Sequence, residues 1–151
     1  MKIRLVWVGK TRDKNWKALQ DEYLQRLSRF VPCEIKEAKD AAGGNRTETE
    51  GNRILELLNP KSFAVLLDPA GTAFDSPSLA GRLGKWESSS RKEVAFIIGG
   101  AEGVSSAVAE RADDRLSLSF LTFTHEMTRV VLLEQLYRAY TILRGFPYHN
   151  E

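Results

Sequence analysis

Short apolar runs alternate along this chain with segments that have the residue spacing of amphipathic helices, and this alternation restricts the possible folds more than any other feature. The apolar runs predict strands at Ile3–Val8, Cys33–Glu37, Phe63–Leu67, Val94–Ile98 and Arg115–Phe120. Helical spacing predominates between them, and the last helix is predicted from His125 to Arg144. Such alternation is typical of an α/β fold in which a mostly parallel sheet carries helices on both faces. No repeat or linker divides the 151 residues, so a single domain over residues 1–151 is predicted.

Composition excludes several classes of protein. The chain is 42% hydrophobic and 28% charged, as is usual for a globular domain. Its one cysteine, Cys33, and its two histidines cannot form an internal disulfide or a Cys/His zinc site. No apolar run reaches the roughly 18–20 residues of a membrane-spanning helix, and the amino terminus does not have the pattern of a signal peptide. We therefore predict a cytoplasmic protein with neither a metal site nor a membrane partner.

The net charge is only +2, but basic residues are crowded into the first predicted strand and helix. One acid, Asp13, lies among Lys2, Arg4, Lys10, Arg12, Lys14 and Lys17. Such a cluster is most often a solvated surface. It is also the pattern of a patch that attracts phosphate groups, and the sequence leaves both interpretations open.

Three predicted strands end in segments suited to ligand binding, namely Leu67–Gly71, Gly99–Gly103 and Leu118–Phe123. In open parallel sheets, ligands bind outside the carboxyl ends of the strands. Glycines let a ligand approach the backbone, and apolar side chains can enclose an adenine ring. We therefore expect the three segments to converge at one edge of the sheet. A P-loop is excluded because Arg4 stands where that motif needs glycine, and no G-x-G-x-x-G follows the first strand.

The last predicted helix is apolar around most of its circumference. A surface helix needs an apolar stripe about 100° wide, so this greater width predicts burial against the core on one side and against a second subunit on the other. Glu134 and Arg138 stand four residues apart and can form an ion pair on the helix surface. Near the end of the chain, Gly145–His149 contains proline, tyrosine and histidine together, which is unusual for a terminal segment without a function.

These features coincide with the motifs of a known family. The motifs are Leu67-Asp68-Pro69 with Gly71, FIIGGAEG at residues 96–103, LSLSFLTFTH at 116–125, RVVLLEQLYRA at 129–139 and Pro147-Tyr148-His149. With them the chain resembles the RlmH family of SPOUT methyltransferases, which methylate N3 of a pseudouridine in large-subunit (23S) ribosomal RNA. The resemblance extends over essentially the whole chain.

The resemblance implies a SPOUT-type α/β knot, in which the C-terminal segment threads through a loop of the chain as a trefoil knot. It also implies a homodimer formed through the last helix and S-adenosyl-L-methionine as the cofactor. By motif position, the cofactor contacts would be Leu67, Gly99, Leu118, Ser119, Phe120, Leu121, Thr122 and Phe123. The implied partner is ribosomal RNA within the assembled ribosome.

Methylation of an imide nitrogen requires that nitrogen to lose its proton. His149 is the candidate base, since histidine side chains titrate near pH ~6.5. Arg138 or Arg129 is the candidate cation that stabilises the developing negative charge, and Tyr148 is the candidate group that stacks on or positions the base. We further expect the tail of one subunit to enter the site of the other.

Two positions depart from the family pattern. Thr124 stands where proline is common, and threonine is expected to cap the last helix instead. Asn150 and Glu151 follow His149 where a basic residue is usual, which removes a cation from the tail.

Two other functions are consistent with the residues. One is a non-catalytic RNA-binding or ribosome-associated module of the same fold, and the other is a flavodoxin-like nucleotide binder. A rise in melting temperature with S-adenosylmethionine would separate the enzyme from the RNA-binding module. Flavin absorbance without methyl transfer would favour the flavodoxin-like protein. The residues alone leave open whether free RNA or the assembled ribosome is the substrate.

Overall fold

Five parallel strands form one sheet in the computed structural model, which describes residues 1–150. The strands are β1 (Lys2–Val8), β2 (Cys33–Ala38), β3 (Phe63–Ala73), β4 (Glu93–Ile98) and β5 (Asp114–Ser117). The helices are α1 (Lys14–Ser28), α2 (Arg46–Leu57), α3 (Ser76–Ser88), α4 (Ser106–Arg111) and α5 (His125–Arg144). The strand order is β2-β1-β4-β3-β5, and every neighbouring pair is parallel. The predicted α/β fold is therefore confirmed.

Successive side chains of β1 point to opposite faces of the sheet, which creates one core on each face. Leu5 and Trp7 pack with apolar residues of α1, α3 and α5, whereas Val6 packs with those of α2 and α4. β4 lies between β1 and β3, and its residues 94–98 are all buried, as expected for a strand covered on both faces. The predicted helices are thus present on both faces of the sheet.

β3 does not end at Leu67, as the apolar run predicts. Both Leu67 and Thr72 pair with Leu116 of β5, so residues 68–71 leave the ladder between these two pairings. The polar and glycine residues after Leu67 are therefore an excursion within a strand, rather than the turn that follows one.

β5 ends at Ser117, short of the predicted Phe120, so residues 118–123 form a loop that leads into α5. Thr124 is the N-cap of α5, and its hydroxyl accepts a hydrogen bond from the Met127 amide at 3.4 Å. The capping role expected for this threonine is confirmed.

The wide apolar surface of α5 is covered largely within the chain, because α5 packs on the sheet and contacts both α1 and α3. Its Tyr137 ring lies 6.1 Å from that of Tyr23 in α1, and Leu143 lies against Gly84 in α3. The width of the apolar surface therefore does not by itself require a second subunit, and the homodimer and the knot stay predictions from the family. Neither α5 nor any other helix among residues 1–150 has the length and hydropathy of a bilayer-crossing segment.

The substitution Gly71→Ala tests the packing of the excursion in β3. A Cβ atom at residue 71 would lie 2.8 Å from the carbonyl carbon of Arg115 and 2.9 Å from the amide nitrogen of Leu116. These are backbone atoms of β5, which cannot move away without breaking the pairing of the strands. We therefore expect the free energy of unfolding, measured in urea, to fall by about 1–3 kcal/mol. Gly81→Ala, where a Cβ meets open space on α3, is the matched control and should raise it by up to about 1 kcal/mol. Equal effects of the two substitutions would contradict this packing.

Candidate functional site

A cavity of about 520 Å³ opens at the carboxyl edge of β3, β4 and β5. Seven of the predicted cofactor contacts line it: Leu67, Gly99, Leu118, Ser119, Leu121, Thr122 and Phe123. His125 and Thr128, from the first turn of α5, complete one wall. The three segments singled out in the sequence therefore converge, as expected for the carboxyl ends of parallel strands.

Phe120 is the one predicted contact that the structure places outside the cavity lining, and its side chain is 84% exposed. The reason is the early end of β5. After Ser117 the chain turns, with the Ser119 carbonyl accepting from the Ser117 hydroxyl and the Ser119 hydroxyl accepting from the Leu121 amide. This turn leaves Phe120 at the tip of the loop.

The turn after β4 needs glycine. Gly103 has a φ of 84°, and its amide donates to the Gly100 carbonyl at 3.0 Å, which closes the turn. A Cβ on Gly99 would lie 2.7 Å from Cγ1 of Val104. The backbone is therefore exposed to the cavity at this point without intervening side chains.

Glu50 of helix α2 lies next to this turn, and the sequence patterns did not single it out as a site residue. Glu50 is 5% exposed, and one of its carboxylate oxygens accepts a hydrogen bond from the Ala41 amide at 3.0 Å. The other oxygen would lie 3.0 Å from a Cβ atom placed on Gly100. Its position was visible in the sequence, because Glu50 stands four residues before Ile54 on the apolar face of the helix. The carboxylate therefore lies between the turn after β4 and the loop after β2.

An ion pair closes the rim of the cavity. Arg115 donates from Nη1 to Oδ2 of Asp68 at 2.9 Å, and Oδ1 of Asp68 accepts from the Ala70 amide at 2.9 Å. Both charged residues line the cavity. The pair joins β5 to the excursion in β3, and so fixes the segment that contains Leu67.

Three of the predicted catalytic residues meet around the carboxylate of Glu134. Oε1 of Glu134 accepts from Nε of Arg138 at 3.1 Å and from the Tyr148 hydroxyl at 3.0 Å. Nη1 of Arg138 lies 3.1 Å from Nδ1 of His149, and the guanidinium stacks 4.9 Å from the centre of the Tyr148 ring. The predicted Glu134–Arg138 ion pair is therefore present, and it contacts Tyr148 and His149 of the C-terminal tail. We call these four residues the C-terminal cluster.

Hydrogen bonds and burial set the protonation states in the C-terminal cluster. The hydrogen bond to Glu134 raises the pKa of the Arg138 guanidinium. Burial raises the pKa of the Tyr148 phenol, and its hydrogen bonds with Tyr23 and Glu134 raise it further. Tyr148 is therefore a neutral hydrogen-bond donor at physiological pH, and Arg138 a permanent cation.

His149 lines a second cavity of about 620 Å³ rather than the first. Gln135 and Val131 of α5 and the start of α3 form the other walls. Leu116 and Leu118 belong to the lining of both cavities, so the end of β5 is the wall between them. Within one chain, the C-terminal cluster and the predicted cofactor contacts therefore lie on opposite sides of this wall.

Arg129, the other candidate catalytic cation, does not join the C-terminal cluster in this structure. It is 4% exposed, donating to the Val8 carbonyl at 2.7 Å and to the Thr11 hydroxyl at 2.9 Å, with its guanidinium 4.7 Å from the Trp7 ring centre. Burial lowers the pKa of Arg129. It precedes Arg138 by nine residues, a rise of about 13 Å along the helix. Its hydrogen bonds hold the end of β1 against α5.

No group of three or more His, Cys, Asp or Glu side chains within residues 1–150 is arranged to hold a metal ion.

Substitution of the two arginines by methionine separates their roles. Arg129→Met leaves the buried Val8 carbonyl and Thr11 hydroxyl without their charged donor, so we expect the free energy of unfolding to fall by about 2–3 kcal/mol. Arg138→Met removes a half-buried ion pair and should cost less than about 1 kcal/mol. Urea denaturation of both variants checks this. A larger loss for Arg138→Met would contradict the structural role of Arg129.

Comparison with known proteins agrees with this geometry. A family model described as predicted SPOUT methyltransferase matches residues 1–149. A Haemophilus influenzae Rd KW20 structure, described as a probable methylase family protein, shares the fold with a TM-score of 0.58 at 8% identity, covering 99% of this chain and 70% of that one.

Three relatives are each named ribosomal RNA large subunit methyltransferase H. That of Geobacter metallireducens is 46% identical over 99% of both chains. Those of Geobacter sulfurreducens and Anaeromyxobacter sp. strain Fw109-5 are 42% and 40% identical over 99% of this chain and 100% of theirs. With such identity over its full length, the chain belongs to the RlmH family of SPOUT methyltransferases.

Proposed function

We propose that this protein is a methyltransferase that uses S-adenosylmethionine to methylate N3 of a pseudouridine in the large-subunit ribosomal RNA. The observation that carries the proposal is the convergence of the three family motifs on one cavity at the carboxyl edge of the sheet. The names of the full-length relatives support ribosomal RNA as the substrate. We expect the enzyme to act in the cytoplasm, on assembled ribosomes.

The cavity fits a nucleoside cofactor. Its volume, about 520 Å³, lies within the range of about 300–1,000 Å³ that is usual for small-ligand sites. Leu67, Ile98 and Leu118 offer apolar walls for an adenine ring, and the turn at Gly99 offers backbone groups that can read its edge. When bound there, S-adenosylmethionine would supply a methyl group carried on a positively charged sulfur.

The C-terminal cluster supplies the groups that the acceptor base needs. Arg138 only donates, so Nδ1 of a neutral His149 accepts from it and the imidazole proton resides on Nε2. For His149 to take the imide proton, the acceptor nitrogen must replace Arg138 at Nδ1. The guanidinium loses only its contact with His149 and stays paired with Glu134, so it can stabilise the negative charge that forms on the neighbouring carbonyl oxygen, while Glu134 also holds Tyr148.

We propose that the site is completed by a homodimer, in which the tail of one subunit serves the cofactor cavity of the other. The support is that His149 lines the second cavity of its own chain and is absent from the lining of the first. A two-fold interface would repeat both halves, giving two equivalent composite sites.

The first experiment tests the reaction. Purified protein is incubated with S-adenosylmethionine labelled in the methyl group, together with ribosomes, separated subunits or naked ribosomal RNA, and the labelled nucleotide is mapped. We expect label on a pseudouridine of the large-subunit RNA, with ribosomes as the best substrate, and a cofactor-dependent rise in melting temperature. RNA binding without cofactor binding would instead indicate a non-catalytic RNA-binding module.

The second experiment tests the shared site by mixing two inactive variants. Gly99→Val is expected to abolish cofactor binding because the turn has no room for a side chain, and His149→Ala is expected to abolish turnover without changing cofactor affinity. After equal mixing and subunit exchange, each heterodimer contains one intact composite site. Activity should then return to roughly a quarter of the wild-type value. No recovery despite subunit exchange would place the tail in its own subunit's site, and normal turnover of His149→Ala would refute the base assignment.

A further inference from the structure

The structure divides the basic cluster near the amino terminus into two parts. Lys2 and Arg4 lie at the amino end of β1 and are paired with Glu34. Lys10 and Arg12 lie at the other end, in the segment that joins β1 to α1, and Lys14 is the first residue of α1.

The second part is largely free of ion pairs. Among residues 1–150, no carboxylate pairs with Lys10 or Lys14, and Arg12 has only a distant contact of 3.8 Å with Asp40. The Arg12 side chain is 79% exposed. The one acid within the segment, Asp13, uses its carboxylate to accept from the Asn15 and Trp16 amides as the N-cap of α1. These three cations therefore remain available to a ligand.

The backbone of this segment is held by α5. The carboxylate of Glu126 accepts from the amides of Arg12 at 2.9 Å and Asp13 at 3.0 Å. These backbone hydrogen bonds lower the pKa of Glu126, so the carboxylate is charged at neutral pH. Arg129 holds the Val8 carbonyl and the Thr11 hydroxyl in the same way. The three cations thus project from a fixed backbone rather than a loose one.

The same turn of α5 also forms a wall of the cofactor cavity. His125 and Thr128 line that cavity, while Glu126 between them holds the segment that carries Arg12. One helical turn has a pitch of about 5.4 Å, so the cations are anchored beside the cavity mouth. Under the proposed function the target nucleotide enters through this mouth, so RNA bound across the three cations would lie next to it.

We propose that Lys10, Arg12 and Lys14 bind the phosphate backbone of the ribosomal RNA next to the target nucleotide. This inference rests on the proposed function, and it names the surface that orients the RNA over the cavity. Contacts to phosphates set the register and orientation of a bound nucleic acid without reading its bases. Exposed cations on a fixed backbone suit that task, since each phosphate they neutralise releases condensed counterions.

The test compares two triple variants that each lose three exposed positive charges. In one, Lys10, Arg12 and Lys14 are replaced by glutamine. In the matched control, Lys61, Lys85 and Lys92 are replaced by glutamine; Lys61 and Lys92 precede β3 and β4 at the opposite edge of the sheet, and Lys85 lies in the last turn of α3. Methylation of ribosomes is measured over a range of salt concentrations, together with the affinity for S-adenosylmethionine.

For the Lys10, Arg12 and Lys14 variant, we expect KM for ribosomes to rise about tenfold or more, and the slope of log(kcat/KM) against log salt to become shallower by about 2–3. Cofactor affinity and melting temperature should stay at the wild-type values. The control should keep both the KM and the slope of the wild type. Unchanged KM and slope in the first variant, or equal changes in both variants, would overturn the proposal.

Naked ribosomal RNA provides the second arm. If the first variant loses affinity for ribosomes but binds naked RNA as the wild type does, the cations contact an acidic protein surface and the RNA proposal is wrong. If the wild type methylates no substrate, the proposed function fails. Salt-dependent binding of the two variants to naked RNA then still decides whether this segment contacts phosphate.

Discussion

A single buried guanidinium joins the end of the first strand to the start of the last helix, and much of the functional edge depends on this link. Arg129 reaches the Val8 carbonyl and the Thr11 hydroxyl across more than a hundred residues of sequence. It thereby sets the position of the first turn of α5, which forms one wall of the cofactor cavity. The same helix carries Glu134 and Arg138 of the C-terminal cluster, so in each subunit one rigid element positions both the cavity wall and the cluster.

The second constraint is the interrupted pairing of β3 with β5. Because Leu67 and Thr72 share Leu116 as their partner, residues 68–71 bulge from the ladder and Asp68 reaches Arg115. β5 is left short, and the loop that follows it folds over the cavity. Apolar packing fixes the sheet, while these polar contacts fix the shape of its edge.

Much of this arrangement could be predicted from local patterns. The alternation of apolar runs located every strand to within a few residues at its start, and parallel topology then brought Leu67 and Gly99 to one edge. The end of β5 was predicted too late, at Phe120 instead of Ser117, because it depends on the irregular pairing with β3, which apolar alternation does not encode. Arg129 and Arg138 look alike on the helix, each with an acid three or four residues before it. Their difference comes from Trp7, Val8 and Thr11, which are distant in sequence. Glu50 was missed for a related reason, since its position next to Gly100 depends on how α2 packs against β1 and α4.

The partition between the two cavities has a consequence for ligand binding on its two sides. Leu116 and Leu118 face both spaces, so a molecule that pushes these side chains from one side alters the room available on the other. Binding in one cavity would then change the affinity of the other for its ligand, and by linkage the effect would be equal in both directions. An apolar wall shared in this way would let a small fold couple two binding sites without a domain movement.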